Sequence, residues 1–385
     1  MRIGVDFLAD RLGESGCIGF HRNFIYWISR LAEKEKYYIF TYDEEHDDYK
    51  KYFLNGKRSV NLISLGSGKI PLWRRLFDQH IRIPLYFKKL GITHGFSDNI
   101  IPFFFNSKTK WIYRVLITQQ FHSEYSDNKL RTAYRRLTTR YACKKATVVV
   151  PNSQYTCTEI QRFLHIPAHK LILVGDAVDH QVFYPFNDKQ AAHKLLYELL
   201  GVRSPYLLQV SGYYDHKNPQ LSIKVLKWLH DRNINVDFVL VGADPLGNRN
   251  RYENLASELS VSEYVRFIPF KTPDVLRLLY NGATCFLYPS TSETFGIPPL
   301  EAMACGVPVV ASNQSAVPEV VGDAGLIVDP FDIGAFGEAV YNVIKKESLR
   351  KELISLGFVH SKKFKWENVI SKMRQEIISL NADNS

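Results

Sequence analysis

The stretch from Tyr288 to Ser312, YPSTSETFGIPPLEAMACGVPVVAS, gathers residue types that suit the binding of a phosphorylated polyol. An apolar run, TCFLYPS, reads as a strand that ends at Pro289. A polar turn then delivers Glu293, a tight Thr294-Phe295-Gly296-Ile297 loop follows, and Pro298 and Pro299 open a helix that carries Glu301. The glycine lets backbone approach a ligand closely, and the helix start presents unpaired N–H groups at the positive end of a dipole. Diphosphates bind well at such a place. The carboxylates on either side are good bidentate acceptors for hydroxyls, so one suits a hexose and the other a ribose. Taken alone, Glu301 would be no more than an acid in a helix's first turn, worth a few tenths of a kcal/mol against the dipole. A second element, QVSGYYDHKNPQL, ends a strand at Gly212, turns, and brings Lys217 to the start of a helix opened by Asn218 and Pro219.

The elements that must position these residues repeat along the chain. RIGVDF, YYIFTY, VNLISL, ITHGFS, WIYRVLIT and TVVVPNS read as strands in the first half, with helical spacing from Ile18 to Leu31. The pattern restarts near residue 205 with YLLQVSG, DFVLVGA, VRFIPF, TCFLYPS, VPVVAS and GLIVDP. Continuous Val and Ile runs interleaved with helices indicate parallel sheets buried on both faces. The expected fold class is α/β, with two Rossmann-like doubly wound domains facing a cleft. The expected boundaries are residues 1–185 for the first domain and 186–365 for the second, with a terminal helix of about 366–385 packing back on the first. Ligands of such sheets bind beyond the carboxyl ends of the strands, which is where the motif residues fall.

The run ETFGIPPLE, followed by AMACGVPVVAS and PEVVGDAGLIVDP, resembles the retaining glycosyltransferases of family four, which have the GT-B fold. The likeness extends from about Tyr206 to Asp332 and is weaker from Asn152 to Pro185 and at the N-terminus. It implies that Glu293 accepts hydrogen bonds from the donor sugar, that backbone N–H groups of Phe295, Gly296 and Ile297 hold the diphosphate, and that Glu301 binds the ribose. It also implies that Lys217, beside the Gly212 turn, neutralises charge on the departing nucleoside diphosphate, an electrostatic role that makes a divalent metal unnecessary. Many relatives carry an arginine soon after that glycine; here Tyr213 or Tyr214 stands in its place, so diphosphate binding leans on Lys217.

The same resemblance makes the glycine-rich turn LGESGCIGFHRN a wall of the cleft near the acceptor, with Gly16 and Gly19 as its residues; plain loop glycines are the alternative. Its glycines begin too far beyond the strand for a dinucleotide fingerprint. Relatives often show a His-Asp pair near the reacting carbon; here VLITQQFHSEYS has Thr118-Gln119 in its place, leaving His122 as a catalytic candidate and His94 as a second histidine near the acceptor. In GDAVDHQVFYP the usual glycine is replaced by Ala177. The implied reaction is transfer of a hexosyl unit from a nucleoside diphosphate sugar with retained configuration, without cofactor. GDP-mannose is favoured slightly over UDP-sugars, and the acceptor is a glycan or a polyprenyl-diphosphate-linked precursor of cell-surface polysaccharide. A non-catalytic nucleotide-sugar-binding protein, a phosphorylase and an epimerase are the alternatives on the same fold.

Charge separates the halves. Residues 1–185 hold 28 Lys and Arg against 17 Asp and Glu, whereas the remainder holds 21 against 22. A basic half beside a neutral one points to an anionic partner for the first, or to a generically solvated surface. Basic residues interleaved with aromatic ones in RRLFDQHIRIPLYFKKLG, IIPFFFNSKTKW and KLRTAYRRLTTRYACKKA fit an anionic membrane surface. No recognised nucleic-acid-binding motif accompanies them. The five cysteines are scattered without a C-x-x-C pair, which fits neither a disulfide framework nor a zinc site. With no signal-peptide layout and no apolar stretch of spanning length, the expected location is the cytoplasm, peripheral on the inner face of the plasma membrane.

Overall fold

The computed structural model describes residues 1–8, 17–50, 59–67, 70–98, 100–103, 108–116, 118–122 and 129–380. The chain divides into two compact units, Met1–Asp176 with Trp366–Ser385, and Ala177–Lys365. The division falls after Asp176, where sequence reading set it after residue 185.

The first unit is built on β1 (Arg2–Asp6), β2 (Lys36–Thr41), β3 (Val60–Ser64), β4 (His94–Ser97), β5 (Lys110–Val115) and β6 (Val148–Pro151). They form one parallel sheet in the order β3-β2-β1-β4-β5-β6. The second unit repeats the plan with β7 (Tyr206–Val210), β8 (Asp237–Val241), β9 (Val265–Ile268), β10 (Cys285–Tyr288), β11 (Val309–Ser312) and β12 (Leu326–Val328), ordered β12-β11-β10-β7-β8-β9. Each of the twelve apolar runs picked out in the sequence is a strand. The reason is physical: helices cover both faces of a parallel sheet, so its strands are continuous apolar runs, as in the fully buried DFVLV of β8.

In both sheets the order reverses once, between β1 and β4 in the first and between β7 and β10 in the second. Loops leaving the carboxyl ends on either side of such a point diverge, and this opens a crevice. Gly242, just beyond β8, allows the neighbouring loop to run close: a Cβ there would lie 1.9 Å from the Ser211 carbonyl oxygen.

The terminal helix Trp366–Ser379 packs on the helix Cys17–Leu31 of the first unit. Trp366 sits edge-on to Phe20, and Arg374 donates to Glu35 at 2.8 Å. Among the described residues, no helix is long and apolar enough to cross a membrane.

Candidate functional site

The loop after β7 and the loop after β10 leave adjacent strands at the switch point of the second sheet, where Leu208 lies beside Phe286. The first loop makes a 3-10 turn over Asp215–Lys217, and Asn218 then takes a left-handed conformation, with φ 53°, to start the helix Pro219–His230. The second loop is fastened to it. The His216 carbonyl accepts from the Thr291 N–H at 2.7 Å and from the Ser290 hydroxyl at 3.0 Å. Gln209 of β7 donates to the Lys217 carbonyl at 2.9 Å and accepts from Ser222 Oγ at 2.7 Å. The Asn218 amide donates to the Pro330 carbonyl at 3.1 Å.

These clasps bring Lys217 and Glu293, 76 residues apart, into contact, with Nζ donating to Oε1 at 2.6 Å. The Tyr288 hydroxyl donates to the same oxygen at 2.6 Å, and the Glu293 N–H is held by Ser315 Oγ at 2.8 Å. Burial alone would raise the Glu293 pKa; the charge of Lys217 and the hydrogen bonds from Lys217 and Tyr288 outweigh it and hold the carboxyl below its ordinary value. Glu293 is therefore a carboxylate at neutral pH. The Lys217 ammonium has three N–H donors, of which Glu293 takes one.

Gly296 stands beside this pair as the residue before the helix Ile297–Ala304. Its φ of 101° is open to glycine and strained for any L side chain, and a Cβ would press on the Tyr288 ring at 3.2 Å. Pro298 and Pro299 follow within the first turn, where a missing N–H costs no helical hydrogen bond. Glu301, on that helix, accepts from the Tyr280 hydroxyl at 2.7 Å. Burial pushes its pKa up to about 7; the Tyr280 hydrogen bond opposes this and the charge of Asp179 adds to it. The two acids thus differ, one firmly ionised and the other titrating near neutrality. Burial, with Lys217 alongside, drives His216 down to about 4, so it is a neutral imidazole. Gly212 lies at the start of the Lys217 loop, where a Cβ would strike the Tyr214 ring at 2.6 Å.

Of the residues singled out in the sequence, the second unit therefore groups Gly212, Lys217, Glu293, Phe295, Gly296, Ile297 and Glu301 at one sheet edge. Tyr213, in the place of the expected arginine, is a core residue: it is buried, and its hydroxyl reaches the Leu240 and Ile268 carbonyls.

The first unit corrects three expectations. His94 is the first residue of β4 and so lies at the amino edge of the sheet, opposite the edge where ligands bind. It is buried, with Nδ1 against Thr93 Oγ1 at 2.9 Å. His122 pairs with the buried carboxylate of Glu159 and packs edge-on to Phe163, which gives it a structural partner within the unit. Gly19 lies inside the helix Cys17–Leu31 rather than in a turn, as the helical spacing from Ile18 to Leu31 already required. Gly16 falls outside the described residues.

What sequence reading missed is a buried polar network at the first sheet's own switch point. His21 Nε2 meets Asp98 at 2.8 Å, Arg114 lies between Asp98 and Asp176, and Asn152 donates to Asp176 at 3.0 Å. Asp6, at the end of β1, is buried and receives the Leu8 N–H at 3.1 Å; burial pushes its pKa up to about 7. One signal was present in the sequence: an arginine in the middle of the apolar run WIYRVLIT.

Two parallel sheets of this order, with a Lys–Glu pair and a glycine-led helix start at one switch point, define a protein of GT-B architecture. Residues 198–358 match the family described as Glycosyl transferases group 1. It is 44% identical over 105 residues to the O-antigen chain mannosyltransferase B of Escherichia coli, a match spanning 27% of this chain and 28% of that protein. It is 26% identical over 239 residues to the D-inositol 3-phosphate glycosyltransferase of Corynebacterium glutamicum, spanning 60% of this chain and 57% of that one. These matches cover less than two thirds of either relative. The sucrose-phosphate synthase of Thermosynechococcus elongatus shares the fold over the whole of both chains, with a TM-score of 0.79 at 20% identity.

Proposed function

We propose that the chain transfers a hexosyl unit from a nucleoside diphosphate sugar to a glycan or polyprenyl-diphosphate-linked acceptor, with retention of configuration and without a metal. The observation that carries this reading is the Lys217–Glu293 contact of 2.6 Å beside the glycine-led helix start. A diphosphate there meets the remaining N–H donors of Lys217 and the backbone N–H groups of Phe295, Gly296 and Ile297, so charge developing on the leaving group is met by groups already in position. Glu293, ionised and fixed by Tyr288, orients the sugar through its hydroxyls. Glu301 takes the ribose. No carboxylate is placed as a nucleophile in this reading, so the acceptor hydroxyl attacks from the face the diphosphate leaves, and the departing phosphate takes its proton.

The similarity to an O-antigen chain mannosyltransferase favours GDP-mannose as donor and cell-surface polysaccharide as product. The basic charge of the first half suits an anionic membrane surface on the cytoplasmic side. Thermal-shift titration with GDP-, UDP- and ADP-sugars tests the donor site. A larger shift with GDP-mannose is expected. A larger shift with a UDP-sugar would overturn the donor assignment, and no shift with any of them would overturn the site.

A further inference from the structure

The helical run from Leu72 to Leu90 carries an apolar stripe on its solvent side. It is α-helical over Leu72–Phe77, π-helical over Asp78–Arg82 and α-helical again over Ile83–Leu90. Trp73, Phe77, Ile81 and Leu85, one at every fourth position, are 70%, 49%, 38% and 61% exposed. On an α-helix each step of four overshoots a full turn by roughly 40°, so four such residues would fan across roughly a third of the circumference. The wider π turn takes up an extra residue and swings the later pair back beneath the earlier one. The result is a single apolar line.

The opposite face joins the core through Ile83 and Phe87 and also buries polar groups. Asp78 and Gln79 are buried, and the Asp78 carboxylate accepts from Arg82 at 2.8 Å and from the Tyr42 hydroxyl at 3.2 Å. A line of exposed large apolar side chains is not the pattern of a helix whose outer face meets water. The surface continues sideways. His80 stacks on Phe103 at 4.5 Å, Phe103 meets Tyr141 at 4.7 Å, and the helix bearing Tyr141 presents Arg136, Leu137 and Arg140 to solvent. Lys88 and Lys89 are exposed at the end of the run, whereas Arg74 and Arg82 turn inward to the Leu65 carbonyl and Asp78.

We infer that this stripe is where the chain docks on an anionic lipid bilayer, with the four apolar side chains entering the boundary between headgroups and acyl chains and the flanking cations meeting lipid phosphates. The inference rests on the reading of the basic half as membrane-facing and names the surface responsible. Charge favours a bilayer over a second copy of the chain: self-pairing through this face would set two basic rims against each other, whereas anionic lipid neutralises both.

The test is co-sedimentation of the full chain with phosphatidylcholine vesicles, with and without phosphatidylglycerol. It compares the wild type with a double variant, Trp73→Ser with Leu85→Ser. Both positions are exposed, so the fold should survive, and an unchanged thermal shift with nucleotide sugar would verify this. The wild type should bind the anionic vesicles, and the variant should bind at least about tenfold more weakly, since two large apolar side chains no longer leave water. Undiminished binding by the variant would overturn the stripe while leaving the first half membrane-facing. A wild type that ignores anionic vesicles would overturn both. A dimer that the substitutions dissolve, without vesicle binding, would make a second copy the occupant.

Discussion

The two units share a strand order and put acidic residues at the same topological point, yet they use them differently. At the switch point of the first sheet, Asp98 and Asp176 flank the guanidinium of Arg114, and His21 and Asn152 complete the network. There the charges are consumed in holding strands and helix together. At the equivalent point of the second sheet, Glu293 meets one ammonium and one tyrosine hydroxyl beside a helix start that has no side-chain cap. The fold supplies the crevice in both cases. On the proposed reading, the degree of internal pairing decides which crevice is left with binding capacity.

The sharpest way to break this comparison is to remove the central cation from each side. Arg114→Met leaves two buried carboxylates without their shared cation and should cost about 3–5 kcal/mol of stability, measured by denaturant unfolding. Nucleotide-sugar affinity, measured where the variant is still folded, should stay the same. If stability is intact but turnover is lost, the first network would be a catalytic one. Lys217→Ala should instead lower kcat by about 10²–10³-fold, or roughly 3–4 kcal/mol at the transition state. Lys217→Arg should recover part of it. A variant that transfers sugar at the wild-type rate would remove Lys217 from the chemistry.

Smaller effects sharpen the contrast within the second unit. Gly296→Ala forces a side chain into a left-handed backbone and against Tyr288, so a loss of about 1–2 kcal/mol is expected, together with weaker diphosphate binding. A cost seen in stability alone would mean that the glycine serves the turn and not the ligand. The mildest effect is that of pH. Glu301 rises from 4.5 to about 7 on folding, so the folded state holds its proton more tightly than the unfolded chain. Its contribution to stability is therefore full below pH 4.5 and declines as pH rises toward about 7, whereas a ribose held by the carboxylate, as proposed, would bind more strongly as pH rises through about 7. Donor affinity measured by calorimetry should weaken about tenfold from pH 8 to pH 6 in the wild type. Glu301→Gln should flatten that dependence; a variant with an unchanged pH profile would assign the titration to another group.

Much of this was legible in the sequence, for reasons specific to each element. The twelve strands announced themselves because parallel strands covered on both faces must be apolar throughout, as VVVP and DFVLV are. Lys217, Glu293 and Glu301 stood out because each follows such a run at a helix start. Less legible were partners supplied from a distance. Tyr280 and Tyr288 read as ordinary aromatic residues of a helix and a strand until their hydroxyls are found on Glu301 and Glu293. His94 and His122 misled because adjacency to a strand does not say which end of it a side chain occupies or whether a neighbouring helix already holds it.

The sequence by itself determined the layered α/β plan, the repeat of that plan and the chemical content of the second unit's loops, since these follow from local polarity and backbone preference. Only the tertiary structure decided which charges are paired. Ion pairing depends on where strand order reverses, and that brings together residues as far apart as Lys217 and Glu293, or Arg114 and Asp176, whose separation along the chain carries no trace of the contact.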